Sequence, residues 1–203
     1  MSVPDAAFYF DLASPLAYLA AERILHTMPG PCEWQPVLAR ELLADRRSPI
    51  GAESFEAFRC RDEEDIFRLE IERRVRALGL QELRWPDPFP FDSDFAMRAA
   101  MYAKSIGKVV AFAQAAFRQA FAGGRSLEST DNVLIAAAAC EMHPLAVQKG
   151  AALRSVGEGL LKATATAAEH GVTDVPAIRV GERVFHGERA LEEAADYSGM
   201  LNR

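Results

Sequence analysis

The chain has 203 residues, half of them hydrophobic, with 29 acidic against 23 basic side chains and a formal net charge of -6. That is enough chain to bury a full core without disulfide or metal staples, as one domain or as one domain carrying a large insertion. The negative balance argues against nucleic acid or an anionic membrane as the main partner, and no stretch approaches the ~20 uninterrupted apolar residues of a membrane helix.

In chain order, Met1-Ser2-Val3-Pro4-Asp5 lacks the basic stretch and long apolar run of a secretory signal, and the expected location is the cytoplasm. Residues 6 to 12 are short, apolar and aromatic, as a buried strand is. Leu16, Leu19, Ala20, Ile24 and Leu25 then recur at helical spacing and predict a helix over 15 to 28. Glu33 to Leu38, after the Pro29-Gly30-Pro31 break, reads as a second strand. The long middle is helical, with helices expected at about 52 to 78, 93 to 106, 108 to 122, 131 to 142 and 145 to 170, and nothing in it patterned as a strand. Trp85-Pro86-Asp87-Pro88-Phe89-Pro90 predicts a rigid extended connector. Ala177 to Val180 and Arg183 to Phe185 flank Gly181-Glu182, a two-residue hairpin signal, and Leu191 to Leu201 carries a helical apolar pattern.

Joined, these give a βαβ unit and a ββα unit with an all-helical body between them: an α/β sheet with helices packed outside. The sheet layer is expected from 1–45 and 171–203, and the insertion from 46–170. Cys32, Cys60 and Cys140 are far apart, odd in number and form no Cys-x-x-Cys pair, so neither a disulfide framework nor a zinc site is expected.

In an open sheet of this kind a ligand sits beyond the carboxyl ends of the strands, where strand 6 to 12 delivers Ser14-Pro15. The plain reading makes Ser14 the N-cap of the first helix and Pro15 its first residue. The functional reading has the Ser14 hydroxyl donate to a thiolate or enolate favoured by free N–H groups and the positive end of the helix dipole. Pro176 stands immediately before an apolar strand, either as an edge-strand starter or in a cis Val175-Pro176 bond. Tyr18 faces either the pocket or the core. His186, between the last strand and Gly187, is a candidate for the site, whereas His26, His143 and His170 fit helix or turn roles. Asp11 and Asp174 belong near the same pocket, Asp174 equally reading as a turn residue, and the insertion would roof that pocket with apolar side chains.

Several of these segments, in this order, resemble a known family. Phe8-Tyr9-Phe10-Asp11 with Ser14-Pro15 and Tyr18-Leu19-Ala20, the Trp34-Gln35-Pro36-Val37-Leu38 strand, the helix ending Phe117 to Arg125, and Gly171-Val172 through Val175-Pro176 to Phe185-His186-Gly187 are similar to 2-hydroxychromene-2-carboxylate isomerases. Those enzymes stand close to kappa-class glutathione transferases within the DsbA-like thioredoxin clan. The resemblance implies a thioredoxin-like fold with a large helical insertion, a cytoplasmic homodimer, and glutathione as cofactor between the start of the first helix and a cis-proline loop. Ser14 matches the family serine that bonds the glutathione sulfur, Val175 the residue whose backbone pairs with the cysteinyl unit, and Pro176 the cis-proline.

Where the family carries Gly-x-Asp-Arg, whose acid helps hold the γ-glutamyl end, this chain has Gly187-Glu188-Arg189-Ala190; the acid has moved one place, to Glu188, or is gone. A lysine and an asparagine of the family, in the loop after the second strand, give way to Ala44-Asp45-Arg46-Arg47-Ser48. Arg46 or Arg47 is a candidate to hold an acidic substrate, against the alternative of a solvated pair. Redox members of the clan place Cys-x-x-Cys where this chain has Ser14-Pro15-Leu16-Ala17, which disfavours dithiol-disulfide exchange. The implied chemistry is glutathione-dependent cis-trans isomerisation of a 2-hydroxychromene-2-carboxylate-like aromatic or unsaturated keto acid: the thiolate adds, a carbon-carbon bond rotates, and the thiolate leaves. The alternatives are a kappa-like transferase with another electrophile, or a non-catalytic thioredoxin-fold protein that binds a peptide or acidic metabolite.

Overall fold

The computed structural model describes residues 6–44, 61–187 and 189–201. Four strands, β1 (Ala6–Phe10), β2 (Cys32–Pro36), β3 (Ala177–Val180) and β4 (Arg183–His186), form one sheet in the order β2-β1-β3-β4. β1 runs parallel to β2 and antiparallel to β3, with Phe8 opposite both Trp34 and Ile178. Every β1 side chain is buried, because helices cover both faces of the sheet. Phe8 and Phe10 meet the Trp34 ring on one face, at 5.0 and 5.8 Å between centroids. Ala7 and Tyr9 pack on the other face with Val37, Leu42, Ala167 and Val175.

Both sheet edges are blunted. On β2, Pro36 lacks an N–H, and Lys104 donates to the side chains of Glu33 and Gln35. On β4, four residues long, the Arg183 guanidinium lies over the rings of Phe185 and Tyr197, at 5.6 and 4.7 Å.

The expected α/β order of βαβ and ββα units around a helical stretch is the one the chain adopts. The first predicted helix is divided: α1 (Pro15–Ala21) and α2 (Ile24–Thr27) are separated at Glu22-Arg23. There the Arg23 N–H bonds Ala20 O, three residues back, while the two side chains reach out to Arg118 and Glu192. α3 (Ala39–Ala44), built of good helix formers, follows β2 where a loop was expected. Of the predicted helix over 52 to 78, α4 (Arg61–Ala77) is seen, and 52 to 60 fall outside the described residues.

α5 (Asp94–Ser105), α6 (Val109–Phe117) and α7 (Thr130–Ala139) lie close to the predicted spans. α6 runs on into a π-helical turn, Arg118–Ala122, closed by Gly123 N–H on Arg118 O at 2.8 Å. The predicted helix over 145 to 170 is two, α8 (Pro144–Ala151) and α9 (Arg154–Glu169), hinged at an extended Leu153. The break lets each lie flat on α5: Gly150 abuts the Tyr102 ring and Gly157 the Arg98 guanidinium, where any Cβ would collide. The Trp85–Pro90 connector is non-helical as expected, but it bends over 87–90 rather than running extended, with cis bonds at Asp87-Pro88 and Phe89-Pro90. α10 (Ala190–Leu201) closes the fold behind β4.

Candidate functional site

The turn from β1 into α1 is shaped by a buried carboxylate. Asp11 Oδ1 accepts from Ala13 N–H at 3.0 Å and from the Ser93 hydroxyl at 2.8 Å, and Oδ2 accepts from Ala39 N–H at 3.1 Å. Its carbonyl takes the Ser14 N–H at 3.0 Å. One side chain therefore joins the serine turn, the start of α3 and the start of α5. Burial pushes the Asp11 carboxyl above its ordinary range, against the pull of these donors and of Arg40.

Ser14 is the N-cap of α1, with Pro15 in the first turn, and its Oγ accepts from Ala17 N–H at 3.2 Å. The hydroxyl still carries its own proton, which has no acceptor among the described residues. The residue is buried, at 3% exposure. Val175-Pro176 is cis, the alternative the family resemblance called for. The loop before it is pinned: Val175 N–H donates to Asp174 Oδ1 at 2.7 Å, and Thr173 N–H donates to His186 Nε2 at 3.1 Å. His186 thus holds the proline loop from β4.

Two hollows flank the serine turn in sequence. Leu16, Leu19, Ala20 and Arg23, at i, i+3, i+4 and i+7, form one wall of a shallow groove of about 30 Å³. Pro176 and Gly187 stand across it, with Leu78 and the start of α10 completing the lining. A larger cavity of about 310 Å³ lies beyond the ends of β1 and β2, lined by Asp11, Leu38, Arg40, Phe91 and Ser93 among others.

Tyr18, which the sequence leaves between pocket and core, is in the core: it is 1% exposed, stacks on Phe121 at 5.6 Å and lines neither hollow. Burial pushes its hydroxyl up to about 12. Arg46, Arg47 and Glu188 lie outside the described residues. Burial pushes the Cys32 thiol up to about 12 and raises Cys140 as well, against the pull of Lys108 on the latter, which disfavours the thiolate form of each. No cluster of His, Cys, Asp and Glu suited to a metal occurs among the described residues, and no helix among them is long and apolar enough to cross a membrane.

Three site residues escape sequence reasoning. Arg23 shares the helical spacing of Leu16, Leu19 and Ala20, a signal that was legible. Ser93 and Arg40 come to the site only through contacts with distant segments, and no local pattern marks them.

A sheet of order β2-β1-β3-β4, a capped helix start after β1 and a cis-proline before β3 define a thioredoxin-fold protein. The profile of the DsbA-like thioredoxin domain matches residues 7–198, and the chain belongs to that family. Among solved structures it is similar to a 2-hydroxychromene-2-carboxylate isomerase, with a TM-score of 0.83 at 17% identity over 98% of this chain and 96% of that one. A probable DsbA oxidoreductase from Streptomyces coelicolor matches with a TM-score of 0.72 at 19% identity, over 96% of this chain and 88% of that one. The cytosolic disulfide reductase DsbM from Pseudomonas aeruginosa matches with a TM-score of 0.64 at 13% identity, over 97% and 96%. At these identities the likeness is one of fold. A search of curated protein sequences finds no match.

Proposed function

We propose that this chain is a cytoplasmic, homodimeric, glutathione-dependent isomerase of an aromatic or unsaturated keto acid of the 2-hydroxychromene-2-carboxylate type. The observation that carries the reading is the Ser14 hydroxyl: an O–H with an uncommitted proton at the N-cap of α1, beside Pro15-Leu16-Ala17 rather than a cysteine pair. Oxidoreductases of this fold need two sulfurs there, and this sequence has none in those places.

In this reading glutathione lies extended along the groove between α1 and Pro176. The Val175 N–H, now on Asp174 Oδ1, turns to the cysteinyl unit. Ser14 donates its free proton to the sulfur while Oγ keeps its bond from Ala17 N–H, so the thiolate is favoured at neutral pH. The acceptor acid occupies the cavity beyond β1 and β2, where Phe91 and Leu38 offer apolar surface and Arg40, which would turn from its carboxylate partners Asp94, Asp92 and Glu41, a cation. Thiolate addition to the conjugated acid gives a single bond that can rotate, and elimination returns glutathione unchanged.

The test is calorimetric titration with reduced glutathione, followed by absorbance change with a hydroxychromene carboxylate with and without the tripeptide. Heat on titration and a spectral change strictly dependent on glutathione support the proposal. The absence of heat at millimolar glutathione refutes it, and a released thioether product detected by mass spectrometry makes the chain a transferase instead.

A further inference from the structure

Among the described residues, the groove beside Pro176 has aliphatic side chains along most of its lining and one charged residue, Arg23. Discrimination by charge within it therefore falls to that guanidinium. Arg23 is held without being saturated. Its Nη2 donates to Glu192 Oε1 in the first turn of α10, and its remaining side-chain N–H groups meet no other partner among the described residues.

The second oxygen of Glu192 is buried without a partner, so the pair meets at one point rather than through the two parallel bonds that guanidinium and carboxylate favour. The Arg23 side chain is 23% exposed: reachable from the groove, yet withdrawn enough from water for a charge contact to count. A planar fork held at one edge, with free donors beside an apolar trough, is suited to a carboxylate on an otherwise apolar or extended ligand.

We propose that Arg23 recognises a carboxylate of the ligand bound in this groove. The inference rests on the glutathione reading above. The tripeptide carries two such groups, one at the γ-glutamyl end and one on glycine, and either supplies the chemistry.

Titration calorimetry on the full chain with three ligands separates the sources. These are glutathione, its glycyl monoethyl ester, and 4-aminobutanoyl-cysteinylglycine, which keeps the γ-glutamyl amine but lacks its α-carboxylate. Masking the group that Arg23 holds is expected to weaken binding by about tenfold to a hundredfold, and masking the other to change it little. Arg23→Met is expected to lose the same factor for glutathione and to bind the discriminating analogue no worse than the parent chain does. Equal binding of all three ligands by the parent chain overturns the inference without need of any variant that must fold. So does a folded Arg23→Met chain that binds glutathione at parental affinity. If the parent chain takes up no glutathione at all, the proposed function fails and this inference with it, an outcome distinct from intact binding that ignores Arg23.

Discussion

Replacing Asp11 by alanine removes the acceptor for three buried donors at once: Ala13 N–H, Ala39 N–H and the Ser93 hydroxyl. A buried donor left unmade costs about 1 to 3 kcal/mol. The cavity of about 310 Å³ beside Ser93 admits water to that side, which relieves part of the penalty. The expected loss is therefore about 3 to 5 kcal/mol, a large share of the roughly 5 to 15 kcal/mol that holds a domain together. Asp11→Asn keeps the shape but turns an amide NH₂ toward one of the donors, for an expected loss of about 2 to 3 kcal/mol.

Urea unfolding followed by fluorescence reads both halves of the molecule, because Trp34 sits in the sheet and Trp85 in the connector of the helical stretch. The pH dependence supplies the sign. Unfolded Asp11 releases its proton near 3.8 and the folded residue does so higher, so between those values the unfolded state binds fewer protons and stability falls as pH rises. Asparagine does not titrate, so the deficit of Asp11→Asn relative to the parent should shrink as pH rises through that window. A deficit that grows with pH, or an Asp11→Ala chain within about 1 kcal/mol of the parent, would refute the reasoning.

Ser14→Ala should cost about 1 kcal/mol of stability by loss of the cap, and a further 1 to 3 kcal/mol or so of barrier if the hydroxyl serves the sulfur; melts and initial rates separate the two. Gly150→Ala sets a Cβ 2.3 Å from the Tyr102 ring and should lower stability by about 1 to 3 kcal/mol, whereas Gly30→Ala, with nothing within 4 Å, should be tolerated on packing grounds. Thermal melts of the two variants side by side check the contrast. Arg118 grips Glu22 through two bonds of 2.8 and 3.0 Å but is itself 56% exposed. A double-mutant cycle should give a coupling of about 0.5 to 1 kcal/mol that weakens in high salt.

The strands and the placing of Ser14 and Pro176 were legible because each rests on a short local signal: an all-apolar run, a Ser-Pro step, a hairpin glycine. The helices were legible as a mass but not as pieces. α8 and α9 read as one helix because Gly150, which marks the close approach to Tyr102, breaks no periodicity by itself. The division between α1 and α2 depends on Glu22 and Arg23 finding partners 96 and 169 residues away, beyond any window. The same holds for Asp11. Its place near the pocket could be read from the strand end, but its bond to Ser93 joins residues 82 apart and exists only once α5 has docked.

The two edge strands carry a consequence for how this protein meets others of its kind. A neighbouring molecule approaching β2 finds Pro36, with no N–H to offer, and the Lys104 clasp on Glu33 and Gln35; one approaching β4 finds a ribbon only four residues long beneath an arginine laid across two rings. Strand-to-strand growth into fibrils, the standing hazard of open sheets, is discouraged at both ends. Crowding should leave this chain less prone to amyloid-like stacking than its exposed helix-face leucines alone would imply.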